Sequence, residues 1–166
     1  MAETINEAAV WDRVSAAQRS AETDCKKCGG GNETGPIAPD LLQSMTKERE
    51  TAQDYRNLSS RAGAEGQRIL RRIAAQELQH SQTLGAVYFF LTGQTPQPPQ
   101  AQRAQTRQES FREALRRQMQ SEELTAGWYE ALSARTTGEV RQVLLKIAQE
   151  EQQHFHMLLG LLKSSL

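Results

Sequence analysis

The stretch Glu77-Leu78-Gln79-His80 decides the fold of this chain, together with its counterpart Glu151-Gln152-Gln153-His154. Each stretch places a glutamate and a histidine three residues apart, which puts both side chains on one face of a helix. Each is preceded, at the same distance, by one further glutamate and one tyrosine. These upstream residues are Glu48 and Tyr55 in the first half and Glu122 and Tyr129 in the second, 74 residues later. The constant offset predicts two repeated helical hairpins.

Apolar residues around these stretches recur in alternating steps of three and four, which is typical of helices in an antiparallel bundle. The first helix is predicted to begin near Pro39-Asp40 and to end near Arg61. The second follows a turn at residues 63–66 and ends before Gly93, whose lack of a Cβ suits a helix stop. The third follows a proline-rich connector, and the fourth runs nearly to Leu166. We therefore predict an all-α four-helix bundle.

The domain boundaries follow from the breaks in this pattern. Residues 1–39 are predicted to form an N-terminal helix and a loop rich in Gly and Cys, and residues 40–166 the bundle. A crossover at residues 93–105 contains Pro96, Pro98 and Pro99. At about 3.1 Å per residue, it can just span the length of the bundle. A taut connector also allows the second hairpin to pair with another chain, so a domain-swapped dimer is an alternative.

The composition excludes several classes of protein. Lys and Arg total 20 and Asp and Glu total 20, which argues against a dedicated surface for nucleic acid or anionic membrane. No run approaches the roughly 18 apolar residues that span a bilayer, and no secretory signal is recognisable at residues 1–10. We expect a cytoplasmic protein.

The predicted inner faces carry charged residues where apolar ones belong. Known two-metal bundles use one glutamate from each of two helices and a Glu-x-x-His pair from each of the other two. Two divalent ions would neutralise four carboxylates, whereas polar groups that only satisfy one another would carry a large burial cost. Oxygen and imidazole donors without thiolate suit two iron ions, with manganese or zinc as alternatives. The predicted ligands are Glu48, Glu77, His80, Glu122, Glu151 and His154.

Other candidate residues leave alternatives open. Tyr55 and Tyr129 are placed to hydrogen-bond the ligand carboxylates, or else pack in the core with their hydroxyls satisfied elsewhere. The pair Cys25 and Cys28 is half of a four-thiolate metal site, a redox dithiol, or two incidental reduced cysteines. His156 falls off the inner face and is expected at the surface.

These residues resemble the ferritin-like superfamily, and specifically its rubrerythrin-type branch, over roughly residues 40 to 163. The resemblance implies a ferritin-like bundle with a non-haem di-iron centre, held by the six ligands above, with Glu77 and Glu151 as the bridging pair. The chain departs from rubrerythrins at two points. Thr125 stands where they carry a further glutamate, and Cys25 and Cys28 are too few for their rubredoxin-like domain.

The leading hypothesis for function is a di-iron oxidoreductase of oxidative-stress type that reduces peroxide or dioxygen with electrons from an external donor. The same centre also suits a ferroxidase or an iron-storage or iron-handling protein. A third hypothesis is a non-catalytic metal-binding helical module. The expected assembly is a homodimer or a higher homo-oligomer, without nucleic acid or membrane as a partner.

Overall fold

The computed structural model describes residues 37–100 and 109–164, which form four α-helices and no strand. None of these helices has the combination of length and apolar character that crossing a bilayer requires. The prediction of an all-α chain with four helices is therefore confirmed for the described residues. The predicted N-terminal helix, Cys25, Cys28 and part of the connector lie outside them. The helices are α1 (Ala38–Ser59), α2 (Ala64–Thr92), α3 (Phe111–Ala134) and α4 (Gly138–Ser164).

Local signals in the sequence set the helix ends. Pro39 lies in the first turn of α1, where a missing N–H costs nothing. Gly93 follows α2 with φ of 69°, a left-handed conformation that glycine adopts without strain. At α3, the Ser110 Oγ accepts from the Glu113 N–H, and the Glu113 carboxylate accepts from the Ser110 N–H. This capping box starts α3 at Phe111, several residues beyond the predicted end of the crossover at 105.

The directions of the helices follow from contacts between side chains. Short turns join α1 to α2 and α3 to α4, and each pair packs side by side. The Tyr55 hydroxyl contacts Glu122, and the Tyr129 hydroxyl contacts Glu48, so α1 and α3 run antiparallel. Because α1 is antiparallel to both α2 and α3, these two helices run in the same direction. The connector between them must therefore travel the length of the bundle.

Two hydrogen bonds place the described ends of this connector against α1. The Thr46 hydroxyl donates to the carbonyl of Pro99 at 2.9 Å, and the Arg61 guanidinium donates to the carbonyl of Glu109 at 2.7 Å. Thr46 lies in the first half of α1, whereas Arg61 follows its last turn. The chain thus moves toward the end of α1 where α3 begins.

The interior consists of two apolar clusters with a polar layer between them. The order along α1 shows the arrangement: Met45 belongs to the first cluster, Tyr55 to the second, and the buried Glu48 lies between. Along α4, Ile147 and Leu158 enclose a glutamate and a histidine in the same way. The first cluster is built around Leu41, Leu84, Leu132 and Leu144, and the second around Leu58, Leu70, Ile73 and Leu115.

This packing predicts different costs for two leucine substitutions on the same helix. Leu115 is 0% exposed in the second apolar cluster, whereas Leu124 is 75% exposed. Leu115→Ala should lower the free energy of unfolding by about 2–5 kcal/mol, because it leaves a cavity. The control Leu124→Ala should change it by less than about 0.5 kcal/mol. Urea unfolding measures both, and equal effects would contradict the assigned face of α3.

Candidate metal centre

All six predicted ligands lie in the polar layer. Each helix contributes from its inner face, because the glutamates and histidines occupy the same stripe as the apolar core residues. None of the six is more than 2% exposed. Carboxylates are almost never this buried unless they are paired or coordinate a metal. The six are Glu48 on α1, Glu77 and His80 on α2, Glu122 on α3, and Glu151 and His154 on α4.

The donor atoms form two overlapping groups, within each of which all atoms lie within 4.8 Å of one another. Glu77 and Glu151 belong to both groups. Each group adds one histidine and one glutamate to this shared pair. The first group contains Glu48 and His80, and the second contains Glu122 and His154. These buried groups can hold metal ions.

Both histidines present the same ring nitrogen to the carboxylates. The Nδ1 atom of His80 lies 2.9 Å from Glu151 Oε1, and the Nδ1 atom of His154 lies 2.9 Å from Glu77 Oε1. The two rings stack with their centroids 5.6 Å apart. Each histidine therefore faces the carboxylate of the opposite Glu-x-x-His pair, and α2 and α4 approach each other as antiparallel helices.

Several of these atoms are close to one another without being hydrogen-bonded. Although His80 Nδ1 and Glu151 Oε1 are 2.9 Å apart, neither has a hydrogen-bond partner among the described residues. Both carboxylate oxygens of Glu77 are also buried without a hydrogen-bond partner among the described residues. Buried polar atoms without partners are rare, and each demands an explanation. A cation fits this set, because it would take up lone pairs from oxygen and imidazole atoms that converge on one point.

Two tyrosines hold carboxylates of this layer from across the bundle. The Tyr55 hydroxyl of α1 donates to Glu122 Oε1 on α3, and the Tyr129 hydroxyl of α3 donates to Glu48 Oε1 on α1. Both tyrosines are 0% exposed. Each tyrosine thus fixes the glutamate of the other hairpin, which the spacing within one helix did not indicate.

The electrostatics of the layer divide the four glutamates into two pairs. Burial and the neighbouring Glu77 raise the pKa of Glu48 well above its usual value, and burial and Glu151 raise the pKa of Glu122 to about 9. Burial also opposes ionisation of Glu77 and Glu151. At Glu77 the nearby His154 is the main group that outweighs burial, and at Glu151 it is the nearby Glu122. The pKa values of both glutamates are therefore lowered.

The histidines carry the compensating charge. Burial alone lowers the pKa of an imidazole, but Glu150 and Glu151 outweigh it and raise the pKa of His80 to about 12. In the same way, Glu122 and Glu151 raise the pKa of His154 to about 11. Without metal, these pKa shifts favour two imidazolium cations that balance two carboxylates, with Glu48 and Glu122 protonated.

Sequence reasoning missed Glu150. This residue precedes Glu151 on α4, and its carboxylate lies 2.9 Å from the Nε2 atom of His80. The doubled Glu150-Glu151 was the available signal, because adjacent helical residues point in different directions and can contact opposite sides of a neighbouring helix. As expected, His156 is exposed.

Comparison of the chain with protein-family models, with curated proteins and with solved structures finds no match. Function is therefore inferred from the residues of the polar layer.

The protonation of the metal-free layer predicts that metal binding depends on pH. Ligands bind metal only when deprotonated, so filling the site with two divalent ions should release about four protons, from His80, His154, Glu48 and Glu122. Affinity should therefore rise as pH increases from 6 to 8. Calorimetric titration in buffers of different ionisation enthalpy measures the release. An affinity that does not change over this range would contradict the assigned protonation.

The tyrosine contacts predict a second effect. Tyr55→Phe and Tyr129→Phe should each lower the free energy of unfolding by about 1–3 kcal/mol, because a buried carboxyl oxygen loses its donor. Tyr88→Phe is the matched control, since the Tyr88 hydroxyl has no hydrogen bond among the described residues, and it should cost less than about 0.5 kcal/mol. Chemical unfolding of the metal-free proteins checks this, and three equal values would remove the role assigned to the hydroxyls.

Proposed function

We propose that this protein is a ferritin-like, rubrerythrin-type oxidoreductase with a two-iron carboxylate centre that reduces peroxide or dioxygen. The observation that carries the proposal is the burial of four glutamates and two histidines in one layer, with donor atoms that lack hydrogen-bond partners. The two hairpins of the bundle are proposed as repeats, in keeping with the constant offset of 74 residues between corresponding ligands.

The proposed binding of two ions is supported by the overlap of the donor groups. Glu48 and His80 would complete one position, and Glu122 and His154 the other, with Glu77 and Glu151 shared. Two ferrous ions bring a charge of +4 and four carboxylates bring −4. Loading would thus exchange about four protons for two divalent ions and leave the net charge of the layer unchanged.

The proposal of iron rests on the chemistry of the donors. Among the described residues, the layer contains carboxylates and imidazoles and no thiolate. Such mixed sites suit iron or manganese, and zinc also binds them. When bound, two ferrous ions would supply the two electrons that convert one peroxide and two protons into two water molecules.

The protein's own residues would position this chemistry and isolate it. Tyr55 and Tyr129 hold one oxygen each of Glu122 and Glu48, which restricts how these carboxylates rotate. The apolar clusters at both ends of the layer exclude bulk water and keep the helices at fixed spacing. An external reductant is needed to return the electrons, and the proposed assembly is a homodimer or a higher homo-oligomer, with a swapped dimer as one form.

A stopped-flow experiment tests the proposal. Protein purified without oxygen and loaded with Fe(II) should contain two irons per chain and consume one peroxide for every two irons oxidised. His154→Ala should reduce the rate of peroxide consumption by more than about 100-fold. Loss of a residue that only hydrogen-bonds a metal ligand already reduces activity by about 10- to 100-fold. The matched control is His156→Ala, two residues away on the exposed face, which should behave as the wild type.

Other outcomes would replace the proposal. Fewer than one metal per chain after loading would indicate a structural helical module. Uptake of iron far beyond two per chain, in a particle much larger than a dimer, would indicate iron storage. Peroxide consumption no faster than that of free ferrous ion would exclude the proposed enzyme.

A further inference from the structure

The two histidines of the layer differ in what their outer ring nitrogens contact. The Nε2 atom of His80 lies 2.9 Å from Glu150 Oε2, while its Nδ1 atom faces the shared carboxylates. Glu150 is partly buried, with 26% of its side chain exposed. A carboxylate only accepts hydrogen bonds, so the contact with Glu150 keeps a proton on Nε2. When the imidazolium loses its other proton to bind metal, the lone pair of Nδ1 is therefore the one directed into the layer.

His154 has no such partner. Its Nδ1 atom also faces the layer, but its Nε2 atom is buried and has no hydrogen-bond partner among the described residues. The residue that corresponds to Glu150 in the first half of the chain is Gln76, which immediately precedes Glu77. The Oε1 atom of Gln76 is likewise buried and without a partner. At the corresponding position in the sequence, an uncharged amide thus replaces the carboxylate.

This difference has a direct consequence for metal binding. A carboxylate that accepts from the outer nitrogen of a metal-binding histidine fixes the tautomer, orients the ring and strengthens the imidazole as a donor. Loss of such a partner typically weakens metal binding by about 10- to 100-fold. The inner donors of the two positions are matched in type, so the outer residues decide which position binds first.

We propose that the two metal positions are inequivalent, and that the ion beside His80 binds first and more tightly because Glu150 fixes this imidazole. Gln76 leaves the position beside His154 weaker and its ion more easily lost. Glu150 is a positioning residue here, since it acts through His80 and is not itself a ligand. This inference rests on the proposed two-metal centre and adds an order of filling to it.

Titration with Co(II), followed by calorimetry and by the visible spectrum of the bound ion, tests the inference. The wild type should bind two ions in two resolved steps. Crystals grown with one equivalent of Co(II) should show the anomalous scattering peak nearer to His80 than to His154. A first ion beside His154, or two ions bound with equal affinity, would overturn the inference.

Two variants separate this explanation from simple repulsion between neighbouring cations, which also makes the second ion bind more weakly than the first. Glu150→Gln should weaken the first step by about 10- to 100-fold and leave the second nearly unchanged. Gln76→Glu should tighten the second step, an effect that general destabilisation does not produce. Glu65→Gln is the control for loss of a carboxylate, since Glu65 is exposed and pairs with the nearby Arg68. Unaltered steps in both site variants would refute the assignment.

The result is independent of turnover. Two Co(II) steps that respond to Glu150 and Gln76 would uphold the order of filling even if the iron-loaded protein reduced no peroxide. Conversely, active protein with two equal binding steps would uphold the proposed function and overturn the order. Absence of any Co(II) binding would overturn both.

Discussion

The burial of four carboxylates and two imidazoles is the constraint on which the rest of this structure depends. An unpaired charge in a helical core costs several kcal/mol, so the layer is stable only while its charges cancel. Without metal, the pKa shifts favour two imidazolium groups that balance two carboxylates, with protons on the remaining two glutamates. Two divalent cations would achieve the same balance after those protons leave. The layer is thus suited to both states without a change in net charge.

The same constraint joins the two halves of the bundle. The polar residues of each hairpin contact the other hairpin: Tyr55 reaches Glu122, Tyr129 reaches Glu48, and each histidine faces a glutamate of the opposite half. Docking of the hairpins therefore assembles the candidate site and closes the apolar core in a single step. A cation that binds this layer would contribute its binding energy to the stability of the whole bundle.

Helical periodicity was sufficient to predict the faces of the helices. Buried residues recur along α4 in the predicted steps of three and four, and all six predicted ligands are buried. The residues in this series are Val140, Leu144, Ile147, Glu151, His154, Leu158 and Leu161. Periodicity fixes the direction of a side chain around its own helix, but it does not fix which residue of a neighbouring helix it meets. For this reason the crossed pairing of the tyrosines and the contact of Glu150 with His80 emerged only from the packed structure. The start of α3 is set by the capping box of Ser110 and Glu113. This signal is hard to recognise in the sequence because the residues around it are also polar.

The distribution of differences between the two halves of the chain follows from the same physics. Exchange of an inner carboxylate or imidazole would leave an uncompensated charge, so positions that line the layer have little freedom. Residues one step further out can vary at low cost: Ser44 is matched in position by Gln118, and Gln76 by Glu150. Among these outer residues, Glu150 contacts an inner residue, His80. Properties that distinguish the two halves of the centre are therefore expected in this outer set, and Glu150 is the member whose contact with an inner residue is already defined.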